Sequence, residues 1–240
     1  MTSTAIVTGG TGGLGAAVVS RLLDDGWRVA VPWIAEEELE RVQQRDGLEL
    51  IQADLFEPES VERVVQAAAG APGDAPLRGL VNLVGGFAAG GRIHETGIED
   101  FERQFRLNLR ATYLMTQAVI ANVLGGEGEP EPPVGDRAAI VCVGTRAAVR
   151  PFSGAAGYIA SKAAVLAFTE AVAVEYRDDG IRCNAIVPSV IDTPGNRASM
   201  PKADFSRWVK PEEIAGVVAH LLSTDSRPTS GAAIPVYGRA

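Results

Sequence analysis

Tyr158 and Lys162 stand four residues apart in a largely apolar run from Ala156 to Tyr176. On a helix that spacing puts both side chains on one face. A free tyrosine titrates near 10, too high for ready proton exchange at neutral pH. A neighbouring ammonium stabilises the phenolate and lowers that value, which suits the pair to give a proton to a substrate oxygen or take one from it. Such a pair also makes an ordinary helix face, so it signifies chemistry only beside other functional residues.

Those residues begin near the N-terminus, where five glycines fall within Thr8-Gly9-Gly10-Thr11-Gly12-Gly13-Leu14-Gly15. The stretch follows the apolar run Thr4 to Thr8 and opens a helical pattern in which Leu14, Val18 and Leu22 recur every four residues. A glycine turn between a first strand and a first helix lets the backbone approach a pyrophosphate, with the free amides and positive helix end aimed at it. The same glycines would also serve a tight strand-to-helix connection with no ligand.

The elements that must hold these groups follow from periodicity. Seven short, mostly apolar runs read as strands: Thr4 to Thr8, Arg28 to Val31, Leu48 to Ala53, Gly79 to Val84, Ala138 to Val143, Arg182 to Val187 and Ala233 to Val236. Segments of helical spacing alternate with them, the longest being Ile98 to Val123 and Ala156 to Tyr176, the latter stopped by Asp178-Asp179-Gly180. This alternation predicts an α/β fold, a doubly wound sheet of about seven parallel strands with helices on both faces. Residues 125–136, rich in Gly, Pro and Glu, read as an exposed loop inside a single domain over residues 1–240, and 193–207 as a second loop.

Composition removes several classes. Of 240 residues, 22 are basic and 30 acidic, a net charge of −8 that opposes a nucleic-acid surface. His94 and His220 are too few and too far apart in sequence for a multi-histidine zinc site, and no metal is expected. Cys142 and Cys183 lie in apolar runs and read as reduced core residues. No secretion signal and no unbroken run of about 18 apolar residues is evident, so a cytoplasmic protein without membrane contact is expected.

The glycine turn reads T-G-x-x-x-G-x-G, and with five further motifs in order it resembles the short-chain dehydrogenase/reductase family over essentially the whole chain. The others are Asp54-Leu55 after the third strand, Asn82-Leu83-Val84-Gly85 ending the fourth, Asn108 in the long helix, Tyr158-x-x-x-Lys162, and Asn184-Ala185-Ile186-Val187-Pro188 with Thr193. The resemblance implies a Rossmann fold binding NAD or NADP through Gly9, Thr11, Gly13, Leu14, Gly15, Asp54, Leu55, Asn82, Gly85, Tyr158, Lys162, Pro188, Ile191 and Thr193. Asp54 and Leu55 would lie beside the adenine, Asn82 would brace the fourth strand near the adenosine, and Pro188, Ile191 and Thr193 would hold the nicotinamide. Alternatively, Asp54 caps the start of a helix and Asn82 makes a purely structural hydrogen bond. The implied reaction moves hydride between the nicotinamide and a carbonyl carbon, with Tyr158 exchanging the proton and Lys162 gripping the ribose.

The sequence departs from the family at two places. The usual serine 13 residues before the tyrosine is Thr145, a β-branched hydroxyl expected to hold the substrate oxygen, with Ser153 as competitor. Leu83-Val84 replaces the usual Asn-Ala before Gly85. Asn108 would hold a water linking Lys162 to solvent, or else bond to backbone at a helix bend. Gly86, Phe87, Arg146, Phe152, Ser189 and the 193–207 loop are the expected substrate wall. The second strand ends in Val31-Pro32-Trp33-Ile34, with neither the acid that reads a ribose hydroxyl nor the arginine that accepts a 2′-phosphate. Glu36 to Glu38 follow and favour NAD, unless they are simply a solvated first helical turn. The expected activity interconverts a small-molecule alcohol and a ketone or aldehyde, a carrier-linked or CoA-linked 3-oxoacyl reductase being the subclass to test first. A pteridine reductase and a non-catalytic NAD(P)-binding sensor are the alternatives. In relatives the two long helices pack across a subunit interface, which implies a homodimer or homotetramer.

Overall fold

The computed structural model describes residues 3–70, 75–125 and 137–239. Its seven strands form one parallel sheet: β1 (Thr4–Thr8), β2 (Arg28–Trp33), β3 (Leu48–Gln52), β4 (Leu77–Asn82), β5 (Ala138–Val143), β6 (Ile181–Pro188) and β7 (Ala233–Val236), in the spatial order 3-2-1-4-5-6-7. Parallel strands cannot be joined by hairpins, so helices carry the chain back across the faces. They are α1 (Gly15–Asp24), α2 (Pro58–Ala69), α3 (Ile98–Phe105), α4 (Ala111–Gly125), α5 (Arg146–Val149), α6 (Ala156–Glu175), α7 (Pro194–Ser199) and α8 (Pro211–Leu222). This is the doubly wound Rossmann arrangement that the alternating pattern predicts.

All five residues of β1 are buried, and their period of two divides them between two cores. Ile6 packs with α2, α4 and α6 through Val64, Met115, Val119 and Val165. Ala5 and Val7 face α1 and α8 through Val18, Leu22, Ile214 and Val218. Cys142 and Cys183 are both free and buried in the first of these cores.

Several boundaries differ from the sequence reading. β2 continues through Pro32 to Trp33, pairing with Ile51 and Gln52. Its register with β1 ends at Ala30, and an edge without a second partner tolerates the N–H that Pro32 lacks. β3 stops at Gln52, and β6 is longer by Ile181 and Pro188. β4 ends at Asn82, because the Leu83 and Val84 amides leave the sheet to donate to the Thr8 hydroxyl at 3.0 and 3.3 Å. The long helix from Ile98 is interrupted by a π-helical turn, Arg106–Arg110, and closes at Gly125. Gly180, φ 74°, takes the left-handed conformation after α6 that its position predicts. The 193–207 loop contains α7, and residues 126–136 of the expected exposed loop lie outside the described residues.

Arg182 ties the far edge together. It is buried on β6 and reaches past the end of α8, donating to the carbonyls of Leu221 (2.9 Å) and Ser223 (3.0 Å) and to Ser226 Oγ (2.9 Å). The last carbonyls of a helix have no partner within it, and the guanidinium supplies their donors. Replacing Arg182 with Met should cost about 3 kcal/mol in urea denaturation, since buried acceptors are left unpaired, whereas Ser226→Ala should cost only about 1 kcal/mol.

Candidate active site

The sheet order reverses between β1 and β4, and ligands of doubly wound folds bind in the crevice at such a point. The glycine turn leaves β1 at this crevice. Gly9 has a φ of 66°, and the Gly12 amide donates back to the Gly9 carbonyl at 3.0 Å. A Cβ on Gly15 would lie 2.0 Å from that carbonyl oxygen, so the helix can begin here only with glycine. No side chain caps the start of α1 at Leu14; the Ala16 amide returns to the Gly12 carbonyl at 2.9 Å, and the positive end of the helix faces the turn. Gly13 faces the Thr193 side chain, 3.0 Å from where a Cβ would stand, so the turn and the loop after β6 meet. Thr193 caps α7, its hydroxyl accepting from the Asn196 amide at 3.3 Å. Pro188 ends β6 opposite Val236, and Ile191 bridges to Val209, placing all three on the same exit path. This open, amide-rich cradle fits a dinucleotide pyrophosphate.

Thr11 Oγ1, in the middle of the turn, donates to Glu38 Oε2 at 2.8 Å. Glu36, Glu37 and Glu38 form the first turn of a 3-10 helix, Glu36–Arg41, as the helical-turn reading has it, and Glu38 bonds Thr11 of the glycine turn. Asp54 Oδ1 accepts from the Phe56 amide at 2.9 Å, a turn just ahead of α2, whose N-cap is Glu57 rather than Asp54; Leu55 is buried in the core. Asn82 Nδ2 donates to Thr116 Oγ1 at 3.1 Å, a structural bond between β4 and α4, while its buried Oδ1 has no partner.

The crevice also gathers the titratable residues. Asn108 lies in the π-helical turn, its carbonyl accepting from the Thr112 hydroxyl at 3.3 Å; π turns of this kind recur at functional sites. Asn108 Oδ1 accepts from the Gly86 amide at 3.0 Å, and Nδ2 donates to Ser161 Oγ at 3.1 Å. Ser161 in turn donates to the Tyr158 carbonyl at 2.8 Å. Sequence reasoning passed over Ser161, and its place directly before Lys162 was the available signal. Gly85 closes the group: a Cβ there would stand 2.6 Å from Asn108 Oδ1 and 3.1 Å from Lys162 Nζ.

Lys162 is 5% exposed, with Nζ donating to the Val143 carbonyl at 3.0 Å. Burial disfavours its charge and brings its pKa down to about 8, the neighbouring Cys142 offsetting part of the fall. Tyr158 shifts opposite to the expectation from its pairing with Lys162. Burial holds the phenol above its ordinary value, and the nearby Thr145 hydroxyl offsets part of the rise. Ser153, the other candidate hydroxyl, is exposed. Thr145 also caps α5, accepting from the Ala147 amide at 3.3 Å. The Phe87 ring meets the Tyr158 ring edge-on at 5.0 Å and lies 6.4 Å from Phe152.

A cavity of about 470 Å3 opens beside Tyr158 between residues 88–98, α3 and the start of α6. Gln104, Phe101 and Gly157 line it, while of the expected wall residues Phe87 lies against Tyr158 and Phe152 against Phe87. The Gly90 amide donates to the Gly154 carbonyl at 2.8 Å and draws the glycine-rich segment across the start of α6. Gln104 is buried with its Oε1 unpartnered. Arg146 stands 5.2 Å from the Tyr237 ring centroid, a cation–π contact.

The lowered Lys162 pKa makes stability depend on pH. The folded state loses its proton near 8 and the unfolded chain near 10, so between these values the unfolded chain binds more protons and stability rises with pH. Chemical denaturation of the wild type from pH 7.5 to 9.5 should show this rise relative to Lys162→Met, in which the difference should flatten.

A family model described as short chain dehydrogenase matches residues 3–204. The chain is 30% identical over 257 residues to 2-(R)-hydroxypropyl-CoM dehydrogenase of Xanthobacter autotrophicus, covering 99% of this chain and 98% of that protein. Among solved structures, 3-ketoacyl-(acyl-carrier-protein) reductase from Brucella melitensis, complexed with NADH, superposes with a TM-score of 0.82 at 28% identity, covering 99% of this chain and 98% of that one. A blue fluorescent protein from a metagenomic library, in complex with NADPH, gives a TM-score of 0.80 at 30% identity, covering 98% of this chain and 96% of that one.

Proposed function

The chain belongs to the short-chain dehydrogenase/reductase family and is an NAD(P)-binding oxidoreductase acting on CH–OH groups, and from that premise we propose that Tyr158, Thr145, Lys162 and Asn108 carry its chemistry. The observation that carries this reading is the Thr145 hydroxyl lying near the Tyr158 phenol, one turn of α6 before the buried Lys162. Two hydroxyls set together suit one carbonyl oxygen, with Thr145 donating a hydrogen bond and Tyr158 giving the proton during reduction or taking it during oxidation. Bound nicotinamide supplies or accepts the hydride. The residues that would hold the cofactor are the glycine turn from Gly9 to Gly15, Lys162 at the ribose, and Pro188, Ile191 and Thr193 at the nicotinamide end.

Lys162 near 8 is poised to pass protons at neutral pH, and Asn108 fixes the backbone around it through Gly86 and Ser161. The buried phenol carries its proton at neutral pH, the form that a carbonyl reduction requires, and its raised pKa would have to fall once cofactor and substrate are bound for the proton to pass readily. The substrate to test first is a 3-oxoacyl thioester, supported by the likeness to the Brucella melitensis reductase. NAD is favoured over NADP, because the glycine turn carries no basic residue and Glu36 to Glu38 follow β2.

Absorbance assays with NADH or NADPH and a panel of ketones and 3-oxoacyl thioesters should show turnover in the wild type. Tyr158→Phe and Thr145→Ala should lower kcat by about 100-fold or more with the cofactor still bound, and Thr145→Ser should stay within about tenfold. Wild-type activity in both Thr145 variants would remove Thr145 from the mechanism.

A homodimer or homotetramer is also part of this reading. α4 and α6 are apolar around most of their circumference, and Tyr113 (48%) and Val174 (66%) stand exposed on them. Sedimentation at micromolar concentration should give at least twice the chain mass, and Val174→Glu should shift it toward the monomer.

A further inference from the structure

Within α3 the residue that is buried is Gln104, 5% exposed, at a position where helix packing ordinarily sets an apolar side chain. Gly157 of α6 leaves it room: a Cβ there would stand 3.3 Å from Gln104 Cγ. Gln104 Oε1 has no hydrogen-bond partner among the described residues, and a buried acceptor left unpaired opposes folding. Such a group calls for a partner from outside the chain.

The same side chain lines the cavity of about 470 Å3 that Tyr158 also lines. The charged side chains around that cavity are engaged with their own neighbours. Arg103 pairs with Asp100 at 2.7 Å, and Glu95 accepts from the Arg92 amide at 2.7 Å through Oε2 and lies 3.8 Å from His94 through Oε1. Ile93, Ile98 and Phe101 add apolar wall. An ion entering here would shed its water for partners already taken, whereas an uncharged polar group would meet the Gln104 amide.

We propose that Gln104 is a specificity-determining residue: the cavity receives an arm of the substrate, and Gln104 accepts a hydrogen bond from a neutral hydroxyl or amide N–H on that arm. The proposal rests on the reading of Tyr158 as the proton-exchanging group, and it adds a substrate class, ketones or alcohols bearing a second, uncharged hydrogen-bonding group.

Tyr158 and Gln104 border one space, so a molecule whose carbonyl oxygen reaches the phenol can extend toward the amide. A hydroxyl can donate to Oε1 and accept from Nε2, and a carboxamide can do the same with its N–H and C=O. A carboxylate brings acceptors only, which Oε1 opposes. An alkyl arm fills the cavity and leaves Oε1 unpaired, and a site built around a polar partner rejects an analogue lacking it more strongly than an apolar pocket rejects an added group.

The test uses the full chain with methyl ketones matched in length and ending in a methyl, hydroxymethyl, carboxamide or carboxylate group. Turnover is followed by absorbance with NADH or NADPH, and binding by calorimetry with NAD+ or NADP+ present, where a ketone cannot be reduced. The proteins are the wild type, Gln104→Met and Gln104→Leu. The wild type should favour the hydroxymethyl or carboxamide ketone over the methyl-ended one by at least about tenfold in kcat/KM, with the carboxylate poorest. In both variants that ratio should fall by about tenfold or more, chiefly through KM, while the urea midpoint stays at or above that of the wild type because an unpaired buried group has gone. A ratio unchanged within about twofold in either folded variant would overturn the proposal, as would a wild type that prefers the methyl-ended ketone. A lowered urea midpoint with an unchanged ratio would make Gln104 a packing residue. If the wild type reduces none of the ketones but binds the hydroxymethyl or carboxamide probe at least about tenfold more tightly than the methyl-ended one, and Gln104→Met loses that preference, the reading of Tyr158 fails and the role of Gln104 stands. Neither binding nor turnover of any probe overturns both.

Discussion

Lys162 must carry an ammonium into the interior, and much of the surrounding backbone is arranged to accommodate it. Removing such a charge from water is unfavourable unless donors and acceptors are fixed around it. The Val143 carbonyl at the end of β5 supplies an acceptor. Gly85 supplies room, because any side chain there would collide with the ammonium or with Asn108. The residual penalty is visible in the ammonium's lowered pKa, and that same penalty makes it a proton carrier near neutrality. One constraint thus accounts for a glycine after β4, an interior asparagine and a reactive lysine.

The π-helical turn belongs to the same arrangement. Asn108 has to reach the Gly86 amide on one side and Ser161 on the other. The turn lies where Asn108 makes both contacts, and its carbonyl finds the Thr112 hydroxyl. Ser161 then fixes the Tyr158 carbonyl, so the position of the phenol is linked to a helix some 50 residues earlier in the chain. Packing of α3 and α4 against α6 is therefore coupled to the chemistry, as well as to stability.

At the other end of the crevice the glycine turn works by absence of side chains. Gly15 lies too close to the Gly9 carbonyl for a β-carbon, Gly13 lies against Thr193, and Gly9 adopts a positive φ. These close approaches bring the start of α1, the end of β4 and the loop after β6 to one rim. Among the acidic side chains, Glu38 reaches this rim, bonded to Thr11.

The sequence by itself determined the strand and helix alternation, the buried β1 with its two-sided pattern, the glycine turn, and the Tyr158, Lys162 and Asn108 set. Each is a local pattern of periodicity or spacing, and local sterics and hydrophobic period are properties a linear chain displays. The tertiary structure decided what depends on distant neighbours. It turned Asp54 Oδ1 onto the Phe56 amide, buried Leu55, ended β4 at Asn82 where Thr8 captures the next amides, and left Ser153 exposed. It also reversed the expected shift at Tyr158, because burial and desolvation depend on the whole packed environment and not on the residue four positions away. Glu38 shows the division most clearly: the sequence offered three adjacent glutamates on equal terms, and only the path of the chain after β2 brought one of them to the glycine turn.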